Sequence, residues 1–453
     1  MSPPPTPPAN LQSRIGAILR ATSGNFLEQF DFFLFGFYSD AIAKAFFPSA
    51  DETTAVLKAF AVFWVGALMR PLGAIVLGAY VDKIGRRQGL IVTLGIMAVG
   101  TVVIAFCPTY EAIGIAAPII VVIGRLLQGF SAGVELGGVS VYLAEIATPG
   151  NRGFYTSFQS SSQQVAIFVA SILGYLLSEY IPSNTVLDVF GGGVAKWRIP
   201  FFVGCLIIPL IFFLRRTLEE TPAFLAMKKH PTANEVFASA LANWRIVLLG
   251  MMIAILTTTM FYFVTVYTPR FGKELHLSTA DGLLVTLAVA VTNFIWNPVG
   301  GAVSDRIGRK PVLLFIAGLS FLTALPALYW LVQSPTFGKL IAVEMLFSFY
   351  FGVYSGAMLG ALVEIVPAHV RTTCFSIAFA LAAALFGTFT PLASTWLTEK
   401  TAHAEWLGAA VKPFAAASPG IWLMFAAALS FIAVSIVYRG GQQAVQAREP
   451  VTA

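Results

Sequence analysis

Two acidic residues stand three positions apart in an apolar stretch, Glu28 and Asp31 of Asn25-Phe-Leu-Glu-Gln-Phe-Asp31. At that spacing they share one face of a helix. Two carboxylates close together in a low dielectric do not both ionise easily, so one of them can bind and release a proton near neutral pH. Three arginines stand in similarly apolar surroundings: Arg70 in Met69-Arg-Pro-Leu-Gly73, Arg125 in Gly124-Arg-Leu-Leu-Gln128, and Arg198 in Trp197-Arg-Ile-Pro-Phe201. A buried guanidinium needs an anion, and its planar fork can hold a carboxylate through two parallel hydrogen bonds. That carboxylate can be the protein's own or a ligand's. The chemistry on offer is therefore anion binding and proton carriage. No nucleophile–base pair, nucleotide loop or metal-ligand cluster stands out, so neither an enzyme nor a cofactor or metal site is expected.

The elements that must position these groups are membrane helices. Of 453 residues, 57% are hydrophobic and 11% charged, whereas soluble domains carry about 25% charged residues. The mean hydropathy is +0.79. A bilayer is the solvent that suits this balance. The net charge of +6 comes from short loops between apolar runs, which reads as a topology signal and not as a nucleic-acid surface. Cys107, Cys205 and Cys374 lie in or beside apolar runs and read as core packing. No cleavable signal peptide is visible in the proline-rich start.

Apolar runs predict twelve spans near 22–47, 56–80, 88–107, 113–143, 154–180, 197–214, 245–270, 280–303, 311–332, 339–363, 372–397 and 418–438. Lys83, Arg86, Arg87, Arg152, Arg215, Arg216, Arg306, Arg309 and Lys310 sit in alternate loops. By the positive-inside rule those loops, and with them both termini, are cytoplasmic. Gly78-Ala-Tyr-Val-Asp-Lys-Ile-Gly-Arg-Arg87 recurs as Gly301-Ala-Val-Ser-Asp-Arg-Ile-Gly-Arg-Lys310, an offset of 301 − 78 = 223. Glu145 and Arg152 recur as Glu364 and Arg371, an offset of 364 − 145 = 219. Two motifs repeating at nearly one offset imply homologous six-helix halves. The expected organisation is a tail at 1–20, a first half at 21–214, a cytoplasmic linker at 215–243, a second half at 244–438 and a tail at 439–453. The fold class is an all-α polytopic membrane protein.

The repeated loop resembles the signature of the major facilitator superfamily. The stretches around Glu28–Asp31, Arg70, Arg125 to Glu135 and Arg198 resemble the metabolite–proton symporters within it. The runs from Thr22 to Asp31 and from Gln128 to Tyr155 are most similar to bacterial citrate–proton and tricarballylate–proton symporters. The resemblance covers nearly the whole chain beyond the proline-rich tail. It implies proton-coupled uptake of a tricarboxylate by alternating access, in a bacterial inner membrane, by a functional monomer whose partners are an organic anion, protons and lipid. Tricarballylate or a dicarboxylate such as 2-oxoglutarate is the alternative substrate, and a non-transporting nutrient sensor the remote alternative. Betaine, which related scaffolds carry, would want an aromatic cage and not buried arginines.

An ionisable group inside a bilayer costs several kcal/mol, so it must face the bundle interior or a water-filled cavity. Arg70 precedes Asp82 by 12 residues, about 18 Å along a helix and close to mid-bilayer. Dicarboxylate symporters of the group use the arginines at the places of Arg70 and Arg198 for their anions. The alternatives are an ion pair of Arg70 with Glu28 or Asp31, and an interfacial anchor for Arg198. Sugar–proton symporters pair an acid and an arginine at the places of Asp31 and Arg125, so Asp31 is expected to carry the proton against Arg125. A permanent ion pair between spans 1 and 4 is the alternative. Glu135, among Gly133, Gly137 and Gly138, is a second proton site or a hydrogen bond between close helices. Arg125, Asn25, Gln128, Gln163, Tyr262 and Asn293 complete the expected substrate set, with polar contacts between helices as the other reading for the amides. Asp82 and Asp305 can cap a helix in the facing span. Arg86, Glu145 and Arg152 in one half, and Arg309, Glu364 and Arg371 in the other, can close a gating network.

Overall fold

A computed structural model describes residues 25–49, 51–84, 86–133, 135–181, 186–189, 192–216, 241–366, 371–402 and 411–439, with a few isolated positions before 25 and at 238. Helix is the dominant element because a spanning segment must satisfy every backbone hydrogen bond within itself. The first half contains α1 (Asn25–Phe37), α2 (Ser39–Phe46), α3 (Glu52–Ile84), α4 (Arg86–Phe106), α5 (Ala116–Ala132), α6 (Glu135–Glu145), α7 (Arg152–Tyr180) and α8 (Ile199–Arg216). The second contains α9 (Trp244–Tyr262), α10 (Thr268–Glu274), α11 (Thr279–Ile307), α12 (Arg309–Gln333), α13 (Phe337–Ile365), α14 (Arg371–Ala382), α15 (Thr390–Ala402) and α16 (Pro419–Val437). Among the described residues, eight helices are long and apolar enough to cross a membrane. Among the described residues the apolar runs read from the sequence are mostly helical. Most of the 215–243 linker and of both tails lies outside the described residues.

Four runs expected to be continuous are broken. In the fourth run, α5 ends at Ala132 and α6 begins at Glu135. The first run divides into α1 and α2 at Tyr38. Two five-residue π turns, Phe263–Tyr267 and Ala383–Gly387, interrupt the seventh and eleventh runs. A π turn leaves carbonyls misaligned with the helix ladder, and such turns cluster at functional sites. Trp64 of α3 donates its indole N–H to the Ala384 carbonyl at 2.8 Å, so the first half satisfies part of the second half's irregular backbone. Among the described residues a short antiparallel hairpin, Val186–Val189 with Gly192–Ala195, precedes α8.

The halves meet along α7 and α11, which pack side by side, with α13 against both. Within the first half α3 and α5 cross where Gly66 faces Gly129. A Cβ on Gly129 would lie 1.7 Å from the Gly66 carbonyl oxygen. Small residues let helix backbones touch in this way, and this crossing brings the helices carrying Arg70 and Arg125 together.

Candidate functional site

Arg70 lies in the middle of α3, one residue before a proline within the helix. It is buried to 2% exposure, and its guanidinium sits 4.5 Å from the Phe32 ring centroid. Its Nη2 is 3.8 Å from Glu28 Oε1, an ion pair looser than a hydrogen bond. Nε and Nη2 have no hydrogen-bond partner among the described residues. Arg70 opens onto a cavity lined by Gln29, Ser160 and Gln163 from the first half and by Thr257, Thr258 and Tyr262 from the second. The cavity measures about 20 Å³, room for a single water molecule. The two halves are thus closed down around a polar centre whose charge comes from one half and whose neutral donors come largely from the other.

Asp31 and Arg125 form a second cluster beside the first. Arg125 is 1% exposed, and Phe32, Phe35 and Phe63 surround its guanidinium with ring centroids at 4.8, 4.6 and 5.0 Å. Its Nη1 donates to Gln128 Oε1 at 2.7 Å. Gln128 in turn donates its amide Nε2 to Asp31 Oδ2, and the Thr101 hydroxyl donates to the same oxygen at 3.0 Å. The expected direct pairing of Asp31 with Arg125 is therefore replaced by a relay, acid to amide to guanidinium. Gln128 sits one helical turn from Arg125 and bridges the two charges, so it joins this relay and is absent from the cavity wall. Arg125, closed in by rings, is absent from that wall too.

At the end carrying the repeated loops, Asp305 crosses between the halves. Its two carboxylate oxygens accept from the Gly153 and Phe154 backbone N–H groups, each at 2.9 Å. These are free donors in the first turn of α7, where a carboxylate is favoured by unpaired N–H groups and by the helix dipole. Arg309 holds Asp305 at 2.7 Å and Glu364 at 2.8 Å, and also donates to Ser304. The backbones touch here as well: a Cβ on Gly301 would lie 2.4 Å from the Gly153 carbonyl oxygen. Glu145 and Arg152 line the adjoining cleft without pairing with one another among the described residues. Asp82, Arg86 and Arg371 have side chains outside the described residues. Asp305→Asn keeps the shape but removes the charge, a loss of about 0.3–1 kcal/mol at a helix N-terminus. We expect the maximal transport rate to fall several-fold while substrate affinity in binding measurements holds. A variant with normal rate and weakened affinity would place Asp305 at the substrate instead.

The family model described as Major Facilitator Superfamily matches residues 21–391. The chain belongs to the Major Facilitator Superfamily. A curated relative named Citrate-proton symporter, from Salmonella typhi, is 54% identical over 96% of this chain and 96% of its own length. Another of that name, from Klebsiella pneumoniae, is 55% identical over 96% of this chain and 94% of its own length. A crystal structure of D-xylose-proton symporter superposes with a TM-score of 0.69 at 20% identity, covering 92% of this chain and 97% of that one. The last likeness shows the fold. These relatives are transporters, and the chain is a multi-pass membrane protein of the superfamily's all-helical fold.

Other expected site residues of this superfamily member lie elsewhere. Arg198 takes the anchoring position that was the alternative to substrate contact. It donates to the Ala105 carbonyl at 2.8 Å and the Cys107 carbonyl at 2.7 Å, and stacks 4.6 Å from the Trp197 ring. It therefore ties the start of α8 to the C-terminal end of α4, and it is not on the cavity wall. Arg198→Ala should cost about 1–2 kcal/mol of stability from lost charged hydrogen bonds, read as a lower melting temperature in detergent with unchanged substrate affinity. Loss of affinity in a folded variant would return Arg198 to the site. Asn293 accepts from the Ser348 hydroxyl at 2.5 Å and donates to Gln164 at 3.4 Å, joining α11 to α13 and α7. It is polar glue between helices and not part of the cavity wall. Gln163 and Tyr262 do line the cavity. The side chains of Asn25 and Glu135 lie outside the described residues.

The sequence reading missed two groups. Gln29 and Ser160 face the cavity. Gln29 adjoins Glu28, and Ser160 heads the polar run Ser160-Ser-Ser-Gln-Gln164. At the end opposite the repeated loops, Asp40 of α2 pairs with Arg270 at 2.9 Å and Lys273 at 2.6 Å on α10, and Arg270 pairs with Glu274 at 3.1 Å. This cluster also joins the two halves. It was hidden because Asp40 falls inside the first expected span while its partner Arg270 lies 230 residues on, at the end of the seventh.

Proposed function

We propose that this chain takes up citrate together with protons, by alternating access of its two halves to the two sides of a bacterial inner membrane. The supporting observation is Arg70, a buried guanidinium with two nitrogens lacking hydrogen-bond partners among the described residues, set in a cavity that both halves build. Such a group is poised for an incoming carboxylate, which can supply the paired oxygens that Glu28 at 3.8 Å does not. Gln29, Gln163, Thr257, Thr258 and Tyr262 are placed for the remaining carboxylate and hydroxyl oxygens. The names of the relatives at 54% and 55% identity favour citrate within the tricarboxylates.

The reading carries a topology. Twelve spans in two halves, 21–214 and 244–438, put both termini and the repeated loops on the cytoplasmic side, as the Lys and Arg distribution requires. The unit is a monomer. The Asp305 cluster is then the inner gate and the Asp40 cluster the outer gate. With both closed around a cavity of about 20 Å³, the structure is an occluded form. Opening one end at a time, and expanding the centre to admit citrate, completes the cycle. Asp31 carries a proton, and the Gln128 bridge transmits its state to Arg125.

The deciding experiment is uptake of labelled citrate by proteoliposomes under an imposed pH gradient, in competition with tricarballylate, succinate and 2-oxoglutarate. Citrate accumulation, inhibited best by citrate itself, is the expected result. Stronger inhibition by succinate or 2-oxoglutarate would move the substrate to the dicarboxylates.

A further inference from the structure

One carboxyl group is left over by this scheme. Glu344 lies on α13 in the second half with 0% exposure, and neither of its oxygens meets a hydrogen-bond donor among the described residues. The charges on neighbouring elements are engaged elsewhere. Arg270, Lys273 and Glu274 of α10 serve Asp40 and Tyr267. Asp281 at the start of α11 caps its own helix through Ser278. Lys339, on α13 itself, turns to Ser334 and the Trp330 carbonyl. Arg309 and Glu364 stand at the other end of the bundle. The nearby tyrosines are used too: Tyr267 donates to Glu274, and Tyr350 shares a hydrogen bond with Thr323. No cation forms an ion pair with Glu344 among the described residues.

Among the described residues the Thr268 hydroxyl is set against it. That hydroxyl already gives its proton to the Val264 and Phe263 carbonyls, at 3.0 and 3.2 Å. With its proton on those carbonyls it leaves a lone pair toward Glu344. A carboxylic acid can donate to that lone pair, whereas a carboxylate can only repel it. An ionised carboxylate without partner or water costs many kcal/mol in such a place, and a neutral acid costs far less. Thr268 is also the first residue of α10, the short helix whose Arg270 and Lys273 hold Asp40 across the halves.

We propose that Glu344 is a second proton-binding site, in the second half of the transporter, which holds a proton while the Asp40–Arg270–Lys273 cluster is closed and releases it when α10 swings away. The site rests on the reading of the chain as a citrate–proton symporter. Opening that end withdraws Thr268, admits water beside the carboxyl and frees the α10 cations to stabilise the carboxylate. The proton enters and leaves as a water-borne hydronium ion, and no other bond changes.

The test is the number of protons moved per citrate in proteoliposomes, from paired pH-dye and labelled-citrate fluxes, in wild type, Glu344→Gln and Glu344→Leu. Both variants are expected to move one proton fewer per citrate than wild type and to retain citrate counterflow. An unchanged ratio in either folded variant overturns the site. Wild type moving no protons with citrate would instead overturn the symport reading itself. Should neither variant fold, dicyclohexylcarbodiimide labelling of wild-type protein decides, since this reagent modifies protonated carboxyls in apolar surroundings. An adduct on Glu344 by mass spectrometry that declines with rising pH supports the site, and a Glu344 unmodified at every pH overturns it.

Discussion

Arg70→Ala is expected to abolish citrate binding in calorimetry of a protein that still elutes as a folded species. Removing one member of a buried, hydrogen-bonded charge pair costs about 2–5 kcal/mol, roughly 30-fold to several thousand-fold in Kd. The upper part of that range applies if Arg70 supplies the main positive charge to a multiply charged anion. Its nearest acid, Glu28 at 3.8 Å, lies beyond hydrogen-bonding distance. The ion pair therefore gives up little when a ligand carboxylate takes the two partner-free nitrogens. Arg70→Lys should fail almost as badly, because an ammonium keeps the charge but loses the two-donor fork and its stacking on Phe32. The competing view, a structural pair of Arg70 with Glu28, predicts the opposite pattern. Both substitutions would then lower the melting temperature, and whatever folded would bind citrate normally. Arg70→Lys binding citrate with wild-type affinity would be the plainest contrary result.

Much of this architecture was legible because membrane insertion writes itself into sequence. The run around 311–332 carries no charge and that around 56–80 only Lys58 and Arg70, and α3 and α12 extend each by only a few residues. The repeated loop points to two homologous halves because its Gly, Asp, Ile and Arg positions recur. Asp305 as a helix cap on the facing half was also readable, since a carboxylate at that place has few other uses. The interruptions were not readable. Phe263–Tyr267 and Ala383–Gly387 are as apolar as their surroundings, and a π turn there depends on partners such as Trp64 from the other half. Arg198 shows the same limit. An arginine at the start of a span looks alike whether it faces a ligand or caps a neighbouring helix, and the choice is made by the carbonyls of Ala105 and Cys107, some 90 residues away. Gln128 was legible as a polar residue one turn from Arg125, but not as the bridge that keeps Arg125 and Asp31 from direct pairing.

Asp31→Asn is expected to lose accumulation of citrate against a gradient while keeping counterflow, the exchange of labelled for unlabelled citrate with no net proton movement. The asparagine retains an oxygen that can accept from Thr101 and Gln128, the two groups that now hold Asp31 Oδ2. The helix contacts of α1 with α4 and α5 are therefore preserved. What disappears is the negative charge and its titration. In the wild type, a proton on Asp31 weakens its hold on the Gln128 amide. Gln128 is also the acceptor for Arg125, so the guanidinium among Phe32, Phe35 and Phe63 loses part of its compensation and the first half rearranges. A side chain fixed in the neutral form leaves the relay in one state, so the halves can still exchange bound citrate but no longer couple that motion to a proton. Gln128→Leu tests the relay separately. It removes the bridge and leaves both charges, and should blunt the pH dependence of uptake with a smaller effect on binding. Glu28→Gln discriminates between the two acids. If Glu28 is the carrier, its variant shows loss of accumulation with counterflow intact, and Asp31→Asn still concentrates citrate. If both variants accumulate citrate under an imposed pH gradient, the coupling lies outside this pair of carboxylates, and Glu135 and Glu344 become the groups to titrate.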